Sequence, residues 1–147
     1  VTTPQDVALM DSRKSITFAN SLKVDVIGVI ENMSGYTIRG KAPAGTELEL
    51  AAPGGKTIAI TADGDGNWSG TLDIFKAGGG EKTAIEFGVP FLGKIPFDPG
   101  FVRGGDDGVH RIVSEPEGSS SMAFGKVVAQ IQTRVEAESV GSGLEII

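Results

Sequence analysis

The sequence predicts an α/β fold in which a partial parallel sheet with flanking helices carries an antiparallel β-hairpin insert. Three stretches lead to this prediction. Residues 24–30 are almost entirely apolar, which is typical of a strand buried on both faces of a parallel sheet. Residues 6–22 show the apolar spacing of a helix. Residues 46–72 instead alternate apolar and polar side chains between glycine-rich turns, a pattern that favours antiparallel hairpins.

The start of the chain is predicted to form a strand–helix–strand unit. Residues 1–3 resemble the end of a strand, and Pro4 suits the first turn of a helix, where its missing N–H costs nothing. The helix is expected over residues 6–22 and the second strand over residues 24–30. A unit of this kind crosses over in the right-handed sense.

The α/β pattern resumes after residue 72. A helix is predicted over residues 81–87, preceded by three glycines and ended by Gly88, in the position that glycine commonly takes after a helix. Residues 89–95 are predicted to form a further apolar strand. Residues 100–108 are predicted as a loop or broken helix, residues 121–136 as the last helix and residues 139–147 as a flexible tail.

Composition restricts the classes of function. The chain has 147 residues and a net charge of −6, so it is poorly suited to binding the phosphate backbone of nucleic acids. No apolar run is long enough to cross a membrane. The sequence contains no cysteine, which excludes disulfides, thiolate zinc sites and cysteine-ligated iron–sulfur clusters. We therefore expect a cytoplasmic protein with no nucleic-acid or membrane partner.

Polar residues follow the predicted strand at its carboxyl end. In open parallel sheets the ligand crevice lies just outside the carboxyl ends of the strands. Glu31, Asn32 and Ser34 therefore stand where a ligand could bind. Asn and Ser are also common in turns, so a plain turn is the alternative interpretation.

Two long segments of the chain read VTTPQDVALMDSRKSITFANSLKVDVIGVIENMSG and DIFKAGGGEKTAIEFGVPFLGKIPFDP. They resemble the C-terminal half of the Mrp-type P-loop ATPases, which are iron–sulfur cluster carriers related to MinD and ParA. The resemblance assigns residues 1–36 and 72–138 to half of a P-loop NTPase domain and leaves residues 37–71 as the β-rich insert. It implies ATP as the cofactor.

The resemblance also implies which residues surround the adenine base. Asn32 is similar to the residue that hydrogen-bonds the base, and an Asn side chain presents both a donor and an acceptor. The backbone around Ile95 and Pro96, followed by Asp98, resembles the opposite wall of the pocket. Arg103 lies in the loop that would close it.

Two departures from the family pattern predict that this chain lacks the family's phosphate-binding loop and its cluster-binding cysteines. The phosphate-binding loop is expected upstream, because GGGEKT at residues 78–83 lacks the spacing G-x-x-x-x-G-K-[ST] and places Glu81 where phosphates would bind. We predict that these glycines only open a helix. The family's CxxC pair would fall within residues 37–71, which contain no cysteine, so we expect neither a bound cluster nor a catalytic residue.

The insert resembles part of a bacterial Ig-like or adhesin-type β-sandwich repeat, over the stretch GKAPAGTELELAAPGGKTIAITADGDGNWSG. The alternative to a natural insertion is a recombined or engineered chimera, a non-catalytic scaffold or interaction protein that displays the insert. We expect one antiparallel sheet in residues 46–72, with an apolar face made of Leu48, Leu50, Ile58, Ile60 and Trp68.

Two further expectations concern metals and partners. Asp63, Asp65 and Asn67 do not complete an EF-hand, because Trp68 stands at the position that requires glycine. No metal site is therefore predicted. Since the upstream half would cover the sheet edges and apolar faces of this half, we expect a homo-oligomer or association with the missing N-terminal half.

Overall fold

The structure is a computed structural model that describes residues 1–142. The helices are α1 (Asp6–Ser21), α2 (Gly79–Phe87), α3 (Pro99–Asp107), α4 (Arg111–Ser114) and α5 (Ser119–Ser142). The strands are β1 (Val29–Lys41), β2 (Glu47–Ala52), β3 (Lys56–Thr61), β4 (Asn67–Leu72) and β5 (Phe91–Phe97). Within the described range, no helix has the length and apolar character needed to cross a membrane.

Strand β1 is shared by the two parts of the fold. Its first half pairs in parallel with β5 and forms a single parallel bridge between Glu31 and Thr2. Its second half, from Tyr36 to Lys41, pairs antiparallel with β4. The resulting sheet has the order β4–β1–β5, and β2 and β3 form a separate antiparallel pair. The predicted α/β fold with a partly parallel sheet and an antiparallel hairpin is confirmed.

The predicted strand over residues 24–30 is displaced. The observed strand starts at Val29, whose partner Phe91 is the first residue of β5, and the residues before it have no partner in the sheet. Val24 is accordingly exposed over 56% of its surface. The strand also continues far beyond Ile30, because β4 supplies backbone partners as far as Lys41.

Residues 1–3, expected to end a strand, contribute only the bridge of Thr2. The Thr2 amide donates to the carbonyl of Ile30 at 2.9 Å, and its carbonyl accepts from the amide of Asn32 at 2.7 Å. In the parallel part of the sheet, β1 therefore pairs with the full strand β5 and with the single residue Thr2.

The expected sheet in residues 46–72 is only partly correct. Strands β2 and β3 pair as expected, with Leu50 opposite Ile58, but β4 pairs with β1 instead of joining them. The apolar face of the hairpin packs over β4 at Gly70, where an added Cβ would lie 2.3 Å from Cδ1 of Ile60 and 2.9 Å from Cδ1 of Leu50. Trp68 lies on Gly40 of β1 in the same way. Close packing at Gly70 joins the β2–β3 hairpin to β4, and close packing at Gly40 joins β4 to β1.

The helices begin and end for local reasons. α2 ends at Gly88, which has φ +64°, as predicted. Residues 100–108 were expected to be a loop or a broken helix and lie mostly in α3, because the side chain of Asp98 caps that helix by accepting from the amide of Gly100 at 2.8 Å. α5 continues to Ser142, so the first part of the expected tail is helical, and residues 143–147 lie outside the described residues.

The core lies where α1 and α2 meet the parallel part of the sheet. Ile16, Val29 and Ala84 are each at most 6% exposed. Half-buried apolar residues complete this cluster: Val26, Phe87, Val89 and Phe91. On β5, Val127 of α5 packs against Gly93, 3.1 Å from where a Cβ would stand. The parallel strands therefore pack against α1, α2 and α5.

Candidate functional site

A bulge interrupts β1 just after Asn32. Asn32 lies opposite Ile95 and Tyr36 lies opposite Phe97, so β1 contains two more residues than β5 between these pairs. The extra residues take up positive φ angles, +56° at Met33 and +80° at Gly35. Bulges turn side chains out of the regular alternation and are frequent next to functional sites. Here the bulge places Asn32 and Met33 at the carboxyl end of the parallel strands.

A cleft of about 270 Å³ lies beside this bulge. Its walls come from the bulge, the end of β5, α3 and α5: Val1, Asn32, Met33, Ile95, Pro96, Phe97, Asp98, Phe101, Val102 and Phe124. Most of these side chains are apolar, and Phe101 and Phe124 lie with their ring centroids 6.3 Å apart. The structure thus brings together Asn32, Ile95, Pro96 and Asp98 at one cleft.

Arg103 lies elsewhere. It is on the exposed side of α3 and is not among the residues that form the cleft. Since α3 is a continuous helix, Val102 faces the cleft and the following residue is directed away from it.

The side chain of Asn32 uses only part of its hydrogen-bonding capacity within the described residues. Its Oδ1 accepts from the backbone amide of Met33 at 2.9 Å. Its Nδ2 has no acceptor among the residues that the structure describes. Because a neutral amide carries two donors on that nitrogen, both are available to a molecule in the cleft. The site therefore combines apolar walls with one polar group of defined direction, as small-molecule sites commonly do.

Asp98 is part of the structural framework of the cleft. One carboxylate oxygen caps α3 at Gly100, and the other accepts from Nε of Arg111 at 3.3 Å. Burial alone would raise the pKa of Asp98, but the Gly100 amide and the Arg111 guanidinium outweigh it and hold the pKa below its usual range. Asp98 therefore stays ionised at neutral pH and serves to join β5, α3 and α4.

Glu31 was expected, with Asn32 and Ser34, to stand where a ligand could bind, but its carboxylate binds groups of the protein itself. Its side chain is fully buried. Oε1 accepts from the hydroxyl of Ser34 at 2.7 Å and from the amide of Gly78 at 3.2 Å, and Oε2 accepts from the amide of Gly80 at 2.7 Å. Burial raises the pKa of Glu31, yet these hydrogen bonds more than compensate and lower it below its ordinary value. The available signal was an acidic residue at the end of an apolar strand, which could not reveal distant glycine partners.

The amino end of α2 is thus occupied by a side chain of the protein. The exposed amides at the start of a helix, together with its dipole, favour an anion. In this chain the carboxylate of Glu31 is that anion, because Gly78 and Gly80 both donate to it. The glycines of GGGEKT therefore open a helix, as predicted, and are not free to bind phosphate.

The acidic turn before β4 is also explained by internal contacts. Oδ1 of Asp63 accepts from the amides of Asp65 and Asn67, at 3.0 and 2.8 Å. Over the described part of the chain, no cluster of three or more potential metal-ligating side chains is found. Asp63 acts as a turn residue here.

The chain matches a known protein family over most of its length. A family model described as ParA, NUBPL iron-transfer P-loop NTPase, matches residues 1–52 and 66–132. This chain belongs to that family. The unmatched residues, 53–65, cover the turn between β2 and β3, all of β3 and most of the turn before β4.

Curated relatives agree with this assignment. The chain is 35% identical over 135 residues to the iron–sulfur cluster carrier protein of Synechocystis, covering 92% of this chain and 31% of the relative. It is 34% identical over 138 residues to that of Methanocaldococcus jannaschii, covering 94% of this chain and 38% of the relative. The chain therefore spans about a third of the length of these relatives.

A solved structure has the same fold. The crystal structure of the cell division ATPase MinD of Pyrococcus furiosus superposes with a TM-score of 0.56 at 19% identity, over 90% of this chain and 40% of that one. The predicted relation to Mrp, MinD and ParA is confirmed. The resemblance of the insert to an Ig-like repeat and the domain boundaries stay predictions.

Proposed function

We propose that this chain is the base-binding part of an ATP-binding iron–sulfur cluster carrier, and that the cleft beside the β1 bulge holds the adenine of ATP. The observation that carries the proposal is the Nδ2 group of Asn32, which has no acceptor within the described residues and borders an apolar cleft. The relatives named as cluster carriers and the family of P-loop NTPases support it.

The cleft fits a purine in size and chemistry. Its volume of about 270 Å³ lies just below the roughly 300 Å³ at which sites for drug-sized molecules begin. Ile95, Pro96 and Phe101 offer apolar surfaces to the faces of a flat ring. The ring nitrogens of adenine are acceptors for Nδ2 of Asn32, and the second lone pair of Oδ1 can accept from the exocyclic amine.

The role of the chain is then to bind and orient the base. ATP supplies phosphoryl transfer to water when it is bound to a complete P-loop NTPase, with positioning and charge stabilisation as the main sources of catalysis. We assign no catalytic residue to this chain, because its sequence contains neither the phosphate-loop spacing nor a free glycine-rich helix start. We propose that a cluster, as cargo, is bound outside these residues, and that the chain works with an N-terminal half or a second copy.

Adenosine tests the proposal without the need for phosphate contacts. Titration of the chain followed by two-dimensional ¹H–¹⁵N NMR should shift the Asn32 side-chain NH₂ and the amides of Met33 and Ile95. Guanosine should bind more weakly, since its N1–H and amino group present donors where adenine presents an acceptor. In Asn32→Asp, a change that keeps the shape but removes both donors, the dissociation constant for adenosine should rise about tenfold, a loss of roughly 1.4 kcal/mol.

Asn20→Asp provides the matched control, because Asn20 is exposed at the end of α1 and away from the cleft. Its affinity for adenosine should equal that of the unmodified chain. If adenosine moved resonances only in the hairpin or on α1, or bound Asn32→Asp as tightly as the unmodified chain, the base site would be wrong.

A further inference from the structure

Glu31 and Asn32 are directed to opposite sides of β1. Neighbouring residues of a strand alternate between the two faces of the sheet. Glu31 meets the amino end of α2 on one face, through the amides of Gly78 and Gly80. Asn32 borders the cleft on the other, which is closed by Phe101 and Phe124. A contact made by Glu31 can therefore act on the cleft only through the backbone of β1.

The buried carboxylate of Glu31 would destabilise the fold unless both of its oxygens accepted hydrogen bonds. Burial of an unpaired charge strongly destabilises the folded state. None of the ion pairs formed within residues 1–137 includes Glu31. Its charge is balanced by hydrogen bonds, by the α2 dipole and by the weaker attraction of Lys94. The N-cap residue of α2 is Gly78, which has no side chain, so Glu31 supplies the acceptor for the first amides of that helix. Capping of α2 does not account for the remaining hydrogen bond of Glu31.

The remaining hydrogen bond of Glu31 joins it to the bulge of β1. The hydroxyl of Ser34 donates to Oε1 of Glu31 at 2.7 Å, which closes a ring around the bulge. Inside the ring, Met33 has φ +56°, a left-handed conformation that is unfavourable for any residue with a Cβ atom. The amide of Met33 in turn donates to Oδ1 of Asn32 and sets the direction of the Asn32 side chain.

We propose that Glu31 is a positioning residue for the base site: through Ser34 it holds the β1 bulge in the strained form that points Nδ2 of Asn32 into the cleft. This inference rests on the proposed function for its biological meaning, but the positioning itself is a property of the ligand-free chain. Glu31 also ties the segment that precedes α2 to the same bulge, because Gly78 and Gly80 share its carboxylate.

Two variants remove the contact in different ways. Glu31→Gln keeps the size of the side chain but turns one oxygen into a donor, which opposes the donors of Ser34, Gly78 or Gly80. Ser34→Ala removes only the bond to the bulge and leaves α2 capped. Ser34→Thr keeps the hydroxyl. Glu81→Gln is the matched control for Glu31→Gln, since Glu81 lies in the first turn of α2 but is half-exposed and pairs with Lys94.

The first readout needs no ligand. The NMR resonances of the Asn32 side-chain NH₂ and of the Met33 amide should move in Glu31→Gln and in Ser34→Ala, remain in place in Glu81→Gln and return in Ser34→Thr. The Gly80 amide should move in Glu31→Gln alone. If Glu31→Gln failed to fold, Ser34→Ala would decide the matter. Unchanged Asn32 and Met33 resonances in Ser34→Ala would overturn the proposal.

The second readout is the affinity for adenosine. We expect its dissociation constant to rise about tenfold in Glu31→Gln and about threefold in Ser34→Ala, and to recover in Ser34→Thr. A structural role limited to α2 would lower the stability of Glu31→Gln without changing these values in Ser34→Ala. Should the unmodified chain bind no adenosine, the proposed function fails, and the ligand-free resonances still decide whether Glu31 positions Asn32.

Discussion

At the scale of single residues, the proposed base site involves two side chains in adjacent positions. Among the described residues, Nδ2 of Asn32 has no acceptor, whereas Glu31 uses both oxygens inside the protein. The difference follows from the strand geometry, which exposes one position to the cleft and buries the next. Asn32 can therefore donate to a molecule in the cleft, whereas the carboxylate of Glu31 is already occupied.

The lowered pKa of Glu31 predicts how the stability of the chain depends on pH. Its carboxylate is stabilised in the folded state, so its contribution is complete above the ordinary glutamate pKa of about 4.3 and is lost as the pH falls through the lowered value. Urea unfolding at a series of pH values between neutral and about 3 should show this loss. In Glu31→Gln the acid limb should be shallower than in the unmodified chain, and equal slopes would contradict the assignment.

At the scale of secondary structure, local patterns and distant partners account for different elements. The alternation in β2 and β3 and the glycine after α2 were sufficient to predict those elements from the sequence. The extent of β1 could not be predicted in this way, because its second half exists only where β4 provides backbone partners. The same holds for the site: Asn32 could be chosen by resemblance, but the glycine partners of Glu31 lie far along the chain.

The turn that starts β4 gives a prediction for an element. Gly66 has φ +76°, and a Cβ added there would lie 2.4 Å from the backbone oxygen of Ala42. Gly66→Ala should therefore lower the free energy of unfolding by about 1–3 kcal/mol, through strain and the close approach of Ala42. Gly64→Ala is the control in the same turn, because nothing lies within 4 Å of its Cβ position. Chemical denaturation followed by Trp68 fluorescence measures both, and equal losses would refute the explanation.

At the scale of the whole molecule, α1 presents apolar residues on two faces. Leu9 and Ile16 are buried against the core, whereas Val7, Met10 and Phe18 are exposed over 74%, 55% and 65% of their surfaces. Helical spacing places these exposed residues on one side, opposite the buried pair. Large exposed apolar surfaces are typical of regions that associate.

We predict from this surface that the chain is dimeric or larger, or is unstable as a monomer. Light scattering at low micromolar concentration provides the measurement. Phe18→Lys should shift the chain towards a single species of about 15 kDa, whereas Val113→Lys, at a position 78% exposed on α4, should leave the association unchanged. A monodisperse unmodified chain with cooperative thermal unfolding would contradict the prediction.

The topology of β1 also implies an order of folding. The β2–β3 hairpin joins neighbouring stretches of chain, whereas β1 must find β4 beyond that hairpin and β5 beyond α2 as well. Because closing a longer loop costs more entropy, the hairpin should form first and the parallel pairing last. The cleft needs both Asn32 and Ile95, and it is therefore completed in the final step. When hydrogen exchange is pulsed during refolding, we expect the amides of Leu50 and Ile58 to become protected before those of Asn32 and Ile95. The proposed base site would then be the last part of the molecule to form, and the reverse order of protection would show that the parallel pairing forms early.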